Sequence, residues 1–481
     1  MKAADFSVGI SHPDRLFIGG EWVTPASGRT FGIVDPATEE QFAEVAEADA
    51  TDINRAVEAA KSAFEPWSRL SHHERAIMLQ AVAENLGARA DELGHLWTRQ
   101  MGVLHKLTPP FASVSMYQFE AAAALAETFP FEEPFTAATG RPGRILREPV
   151  GVVGAIVPWN GPLLLASLKV APALLAGCSL VLKASAEAPL ELYVLAEAIE
   201  KAGIPPGVFN LVTADRTASE RLVVHPDVDK ISFTGSVPAG KRIAALCAER
   251  IARVTLELGG KSPAVVLEDA DIESVADALH ASSIRMSGQI CASLTRVIAV
   301  NEVYDKLVQA LEARFVKTRA GDPYDPASDL GPLANRAQLD RVESYIKIGV
   351  SEGARLVAGG GRPHAKGYYV EPTLFADVDN NSTIAQEEIF GPVLSAIRAK
   401  DEAEAIRLAN DTRFGLNASV FTEDEERAIR IARQIKSGTV SWNRYSVDFI
   451  GGFGGFKQSG IGREGGEEGL RAYLEAKTLL L

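Results

Sequence analysis

Apolar residues recur at helical spacing along Asp52–Trp67 and again along Ser71–Met101, so the first part of the chain is expected to be largely helical. The second stretch opens on Ser71-His72-His73-Glu74, a capping-box pattern, and stops at Gly102. Near residue 150 the pattern changes. Short β-rich runs at Val152–Val157, Leu180–Lys183, Val208–Val212, Lys230–Thr234 and Val254–Leu258 alternate with helix-length segments near 163–176, 187–202 and 238–249. Almost continuously apolar strands separated by helices predict a parallel sheet covered on both faces. A second block repeats the alternation, with strands near Arg296–Val300, Val393–Arg398, Ala418–Phe421 and Thr439–Trp442 and helices near 303–318, 401–410 and 424–436. Between the helical region and the first sheet, Phe129–Arg147 carries Pro130, Pro134, Pro142 and three arginines, and reads as a β-arm or linker.

At 481 residues the chain is too long for one core, and two or three domains are expected. Hydrophobic residues at 46% and charged residues at 23% exclude disorder, collagen-like repeats and coiled coil for the whole. The net charge of −14 has the wrong sign for nucleic acid or an anionic membrane surface, which leaves small molecules as the expected partner. The widely spaced Cys178, Cys247 and Cys291 offer neither a disulfide framework nor a CxxC metal clip, so no metal is expected and a reducing, cytoplasmic compartment is. Met1–Pro13 has no basic patch followed by an apolar core, and no signal peptide is read there. The apolar stretch Val150–Gly177 is broken by Pro158-Trp159-Asn160-Gly161-Pro162 and carries Lys169, so it lacks the ~20 continuous apolar residues of a membrane span.

Four places carry candidate chemistry. Phe233 to Arg242 follows a strand and opens a helix, so its backbone N–H groups can face a phosphate. Gly235, Gly240 and Lys241 have P-loop spacing, but Arg242 replaces the hydroxyl that would hold magnesium, and a tight turn without a ligand stays open. The GxGxxG fingerprint is missing from the first strand-turn-helix, so any dinucleotide must use a different turn. Cys291 is the one cysteine in a polar, Gly-containing loop, Ser287-Gly288-Gln289-Ile290-Cys291-Ala292-Ser293, while Cys178 and Cys247 read as core. A nucleophilic thiol needs that access, although a structural thiol remains possible from the loop alone. Glu257 ends a strand in apolar company, where α/β sheets place chemistry, with a surface pair to Lys261 as the bland reading. Asn160 lies just past a strand as a candidate oxyanion donor or a turn former.

Together these pieces resemble the NAD(P)-dependent aldehyde dehydrogenase superfamily, from Phe17-Ile18-Gly19-Gly20-Glu21-Trp22 to the C-terminus. Its signatures stand in order: Pro158-Trp159-Asn160, Lys183, Phe233-Thr234-Gly235-Ser236, Leu256 to Lys261, Gly288-Gln289-Ile290-Cys291, Glu387 to Pro392, and Phe453 to Gly460. The resemblance implies an α/β fold of two Rossmann-like parallel-sheet domains plus a small β oligomerisation arm. Residues 1–124 and 148–257 would form the dinucleotide-binding domain, 258–452 the catalytic domain, and 125–147 with 453–481 the bridging segments of a homodimer or homotetramer.

The resemblance further implies Cys291 as nucleophile, Glu257 as the base that activates water, Asn160 as oxyanion donor and Lys169 as a supporting residue. Coenzyme contacts carry over to Ile156, Pro158, Trp159, Lys183, Ser185, Ala186, Gly235, Ser236, Leu258, Gly259, Glu388 and Phe390. One departure concerns the coenzyme: Lys183-Ala184-Ser185-Ala186 replaces the usual Lys-Pro-Ser-Glu, removing a carboxylate that would accept from a ribose hydroxyl. NAD and NADP are both expected to serve. Gly161, Leu168, Arg285, Met286 and Phe453 match positions that vary with the substrate, and they mark a tunnel for an aldehyde. Two alternatives stand beside this reading: a CoA-acylating semialdehyde dehydrogenase, which Glu257 argues against, and a non-catalytic crystallin-like binding protein.

Overall fold

A computed structural model describes residues 9–481; residues 1–8, part of the segment read as lacking a leader, lie outside the described residues. Four sheets organise the described residues. The largest has the order Gly460–Ile461, Arg253–Glu257, Lys230–Thr234, Val152–Ile156, Ser179–Ala184, Phe209–Thr213, Leu16–Ile18 and Glu21–Val23. Its five central strands, Arg253–Glu257 through Phe209–Thr213, are parallel, buried on both faces over most of their length, and joined by crossover helices. The second sheet orders Arg355–Ala358, Thr373–Ala376, Val393–Ala399, Leu294–Val300, Ser262–Val266, Asn417–Phe421 and Thr439–Trp442, all parallel except the first pair. Each sheet has its own extensive hydrophobic core, as doubly wound layers require.

The strand boundaries in the central sheet fall within one residue of those expected, because buried parallel strands announce themselves as unbroken apolar runs. The N-terminal region differs from its reading. Four strands, Leu16–Ile18, Glu21–Val23, Thr30–Asp35 and Glu40–Ala46, precede the first helix, Ala50–Ser68, which Asp49 caps. The stretch 71–101 is two helices, His72–Gly87 and Ala90–Met101, rather than one. The chain turns at Ala88 and Arg89, whose guanidinium pairs with Glu92 and Glu197. Strands Glu132–Thr136 and Pro142–Pro149 occupy the segment read as an arm, and they form a three-stranded antiparallel sheet with Leu474–Leu480. The short strand Gly460–Ile461 instead joins the edge of the first sheet, opposite Leu256 and Glu257. Among the described residues, no helix is long and apolar enough to cross a membrane.

Candidate active site

Three strands of the first sheet end together at Ile156, Thr234 and Glu257, and the loops beyond them open on a cavity of about 1060 Å³. Parallel sheets bind ligands at this edge because the carboxyl ends of the strands leave a crevice between diverging loops. Pro158, Trp159, Asn160, Gly161, Gly235, Ser236, Glu257, Leu258 and Gly259 line it from one side. The second sheet contributes Cys291, Glu388 and Phe390 from the other.

The loop that carries Cys291 is anchored along its length. Ser287 Oγ donates to the Gly331 carbonyl at 2.8 Å, Gln289 Nε2 to the Met286 carbonyl at 3.0 Å, and Gln289 Oε1 accepts from Ala334 N at 3.0 Å. Asn417 Nδ2 donates to the Ala292 carbonyl at 3.0 Å, fixing the residue after the thiol. Gly260 must lack a side chain, because a Cβ there would collide with the Cys291 carbonyl oxygen. Cys291 is half-buried, whereas Cys178 and Cys247 are buried as expected. Burial, with the charges of Glu388 and Glu257, pushes its thiol up to about 12. A thiol held in that direction becomes a better nucleophile when a base takes its proton.

Glu257 faces the same cavity. Its side chain is 3% exposed and neither carboxylate oxygen has a hydrogen-bond partner among the described residues. Gly454 approaches so closely that a Cβ would strike this carboxylate. Burial first, and the charge of Glu464 second, hold Glu257 well above the usual carboxylate range, against the opposing pull of Lys169 and Arg463. Asn160 is 7% exposed; its Nδ2 donates to the Gln289 carbonyl at 3.0 Å, and Trp97 Nε1 donates to its backbone carbonyl at 3.1 Å. A carboxamide has two N–H groups, so one remains for a developing oxyanion.

Lys169 is fully buried, donates to Thr234 Oγ1 at 2.7 Å and forms an ion pair with Glu464. Lys169 is marked by its sequence context, whereas Glu464, 295 residues away, belongs to no recognisable motif and is brought to it only by the fold. Ser232 also donates to Glu464, at 3.2 Å. Breaking one half of a buried pair strands a charge in low dielectric. Glu464→Ala should therefore destabilise the protein by about 3–5 kcal/mol, and combining it with Lys169→Met should restore much of that, as calorimetry can measure. Full stability in Glu464→Ala alone would mean that the pair carries no such load.

Ser236 caps the helix Val237–Glu249, whose N-terminus opens on the cavity through Gly235, Ser236, Val237 and Pro238. Unsatisfied N–H groups and the helix dipole make that end suit a phosphate. Glu388 accepts from Gly260 N at 3.1 Å and is pushed up to about 7 by burial, opposed by Gly260, Arg341, Lys261 and Arg413. Phe390 packs edge-on against Trp159, with ring centroids 5.5 Å apart. Lys261 is itself buried and has no hydrogen-bond partner for Nζ among the described residues, so the surface pair with Glu257 does not form. Ile156, Lys183, Ser185 and Ala186 stand at or just past strand ends but do not line the cavity, and Ile156 pairs with Lys183 across the sheet. Ser185 donates to Glu187, whose charge reaches Lys183 along with that of Asp215. Arg216 does line the cavity and was not singled out from sequence. Of the tunnel positions, Gly161, Arg285, Met286 and Phe453 lie on the wall and Leu168 does not.

A thiol, an unpaired carboxylate and a carboxamide share one cavity at the carboxyl edge of a parallel sheet, a set of groups able to support covalent catalysis. The chain belongs to the aldehyde dehydrogenase family, whose model matches residues 22–479. It is 45% identical over 479 residues to geranial dehydrogenase of Castellaniella defragrans, covering 98% of this chain and 99% of that one. Among solved structures it resembles a Mycobacterium tuberculosis aldehyde dehydrogenase complexed with NAD+, at 42% identity and a TM-score of 0.94 over 97% of this chain and 98% of the other. A mutant aldehyde dehydrogenase C from Pseudomonas syringae, complexed with NAD+ and octanal, matches at 38% identity and a TM-score of 0.95, covering 99% and 98%.

Proposed function

We propose that the protein oxidises an aldehyde to the carboxylic acid with NAD or NADP, the acyl group passing through a thiohemiacetal and then a thioester on Cys291. The observation that carries this reading is the convergence of Cys291, Glu257 and Asn160 on one cavity that also receives a helix N-terminus. The Cys291 sulfur adds to the aldehyde carbon, its proton passing to a base for which Glu257 is placed. The oxyanion is held by the spare Asn160 N–H and the Cys291 backbone N–H, each worth on the order of 3 kcal/mol in a water-poor site. Gly235 and Ser236 would hold the coenzyme's phosphates and Glu388 its nicotinamide ribose, and the coenzyme bound there would supply the hydride acceptor. Collapse of the oxyanion expels hydride and leaves the thioester. Glu257 then takes a proton from water, the hydroxyl adds to the thioester, and the Cys291 thiolate departs from the acid. The unpaired Glu257 oxygens on the cavity wall favour water over CoA as acceptor. Absorbance of reduced nicotinamide with an aldehyde and either coenzyme tests the reading, and no signal with any aldehyde would leave the non-catalytic alternative.

Coenzyme choice follows from Ala186. With no carboxylate there, one penalty against a 2′-phosphate is gone, and Lys183 stands three residues earlier at the end of the strand Ser179–Ala184, where the charges of Glu187 and Asp215 reach it. Wild type should discriminate between NAD and NADP by well under roughly a thousandfold in kcat/KM. Ala186→Glu should move the ratio toward NAD by about tenfold or more, which is ~1.4 kcal/mol. An unmoved ratio would assign the ribose to another group. The edge strand Leu474–Leu480, with Leu479, Leu480 and Leu481 exposed, supports a homodimer or homotetramer built through the arm, and the three free cysteines suit the cytoplasm.

A further inference from the structure

Asp91 and His95 stand four residues apart on the helix Ala90–Met101, so both project from one side of it. Gly102 ends that helix at φ 77°, and the chain turns back into the short helix His105–Leu107. The two pieces approach so closely that a Cβ on Gly94 would strike the Thr108 hydroxyl. The return brings His105 face to face with His95, ring centroids 4.2 Å apart and planes 20° from parallel, with the Tyr324 ring beside both. A carboxylate oxygen of Asp91 and a ring nitrogen from each histidine then lie within 4.8 Å of one another. The cysteine spacing, from which no metal is expected, excludes a thiolate clip but not a site built from imidazoles.

His95 is buried, and its Nδ1 lies 3.1 Å from the Tyr324 hydroxyl. A proton on Nδ1, donated to that oxygen, leaves the lone pair on Nε2, the nitrogen 3.9 Å from Asp91 Oδ2. Metal-ligating histidines are oriented in this way, by a further partner that takes the other ring N–H. Tyr324 is itself anchored, its backbone N donating to Asp322 Oδ1 at 2.9 Å, while the neighbouring Pro323 carbonyl accepts from His105 N at 3.0 Å. His105 Nδ1 is buried and has no hydrogen-bond partner among the described residues. A polar atom left so is costly, and a bond to a metal offsets that cost. Asp91 is exposed, so an ion reaches the site from solvent. Zinc holds such ligands at about 2.0–2.2 Å, so the donors close by on the order of an ångström, which rotation of Asp91 and a tilt of the half-buried His105 supply.

We infer that Asp91, His95 and His105 form a binding site for a divalent transition metal of the zinc class, with Tyr324 as the group that orients His95. Two imidazoles and one carboxylate suit zinc, cobalt or nickel, whereas calcium and magnesium take oxygen ligands alone. The ion is structural. None of its three donors lines the cavity, but Leu93, Gly94, Leu107 and Thr108 do, and they belong to the two pieces of chain that the ion joins. Lys106 fastens the same turn to the loop carrying Tyr324, donating to the Pro326 and Ser328 carbonyls at 3.0 and 2.6 Å. The site therefore staples one wall of the cavity to a loop of the second half of the chain without touching the reacting atoms, and it stands independently of the dehydrogenase reading.

The test strips untagged full-length protein with a chelator and titrates it with zinc by calorimetry and with cobalt(II) by visible absorbance. Wild type is compared with Asp91→Asn, His105→Phe and Tyr324→Phe, and Cys291→Ala controls for metal on the thiol. Wild type should take up zinc with a Kd tighter than about 100 µM and gain about two degrees or more in Tm at saturation. Bound cobalt should show ligand-field bands without a thiolate charge-transfer band, and Cys291→Ala should match wild type. His105→Phe keeps a ring in the stack and removes both nitrogens, so affinity should fall by on the order of a hundredfold or more. Tyr324→Phe loses only the hydroxyl that orients His95 and should weaken binding by about 10- to 100-fold, an effect that removal of a packing group alone would not give. Asp91 is exposed, so Asp91→Asn tests the site should His105→Phe fail to fold. A wild-type Kd weaker than about 100 µM, zinc affinity unchanged in Asp91→Asn and Tyr324→Phe, or loss of the bound metal in Cys291→Ala would overturn the inference.

Discussion

Cys291→Ala will lower dehydrogenase turnover by on the order of a thousandfold or more while leaving the fold and coenzyme binding in place. The loop carrying the thiol is fixed by Ser287, Gln289 and Asn417, none of which bonds the sulfur, so removing one atom leaves the anchors intact. Alanine also keeps the backbone N–H that serves the oxyanion, and the loss therefore isolates the covalent step. Cys178→Ala and Cys247→Ala are the controls. Cys178 sits in the core, donates to the Tyr473 carbonyl at 3.5 Å and is pushed up to about 11 by burial, so replacing it costs packing rather than chemistry. Steady-state rates, thermal unfolding and coenzyme titration of the three variants decide the matter. Retention of more than a few per cent of wild-type turnover in Cys291→Ala, with the loss appearing in Cys178→Ala, would move the nucleophile elsewhere.

Glu257→Gln should reduce steady-state turnover by roughly 10²- to 10⁴-fold, with deacylation suffering most. The amide is nearly isosteric and cannot take a proton from water, so the thioester should accumulate after one round of hydride release. Stopped-flow absorbance then reads a single burst of reduced coenzyme followed by a stall. Suppression of the burst as well would show that Glu257 also takes the Cys291 proton. The pH profile gives an independent check. A base works only when ionised, and burial and the Glu464 charge hold Glu257 above the ordinary carboxylate range. Wild-type turnover should therefore fall as pH drops through that raised value, at a pH where an exposed glutamate would still be fully charged. The limb should vanish in Glu257→Gln. A normal burst followed by unimpaired turnover would remove Glu257 from the mechanism.

The residues that the sequence marked as chemical sit in short segments whose local grammar is visible without a fold. Strand, turn and helix follow one another at Phe233–Arg242, a glycine-containing polar loop brackets Cys291, and Pro158 to Pro162 punctuate the end of an apolar run. The order of those segments along the chain was enough to expect two parallel-sheet domains, since continuous apolar strands need helices on both faces. The short strands before Ala50 were not legible. Leu16–Ile18 and Glu21–Val23 are three residues each, too brief for a period to register, and they are strands because Phe17 pairs with Leu211 at the sheet edge.

What the tertiary structure alone decided is which distant groups share an environment. Lys169 meets Glu464, Glu257 stands unpaired rather than joined to Lys261 as its bland reading had it, and Gly260 and Gly454 give up a side chain to a thiol loop and a carboxylate encoded elsewhere. Sequence period records which face of an element is buried, because that depends on residues three or four apart on a helix and two apart on a strand. Charge state, desolvation and the pairing of buried ions depend on atoms within a few ångströms that come from any part of the chain, and only the folded chain brings those atoms together.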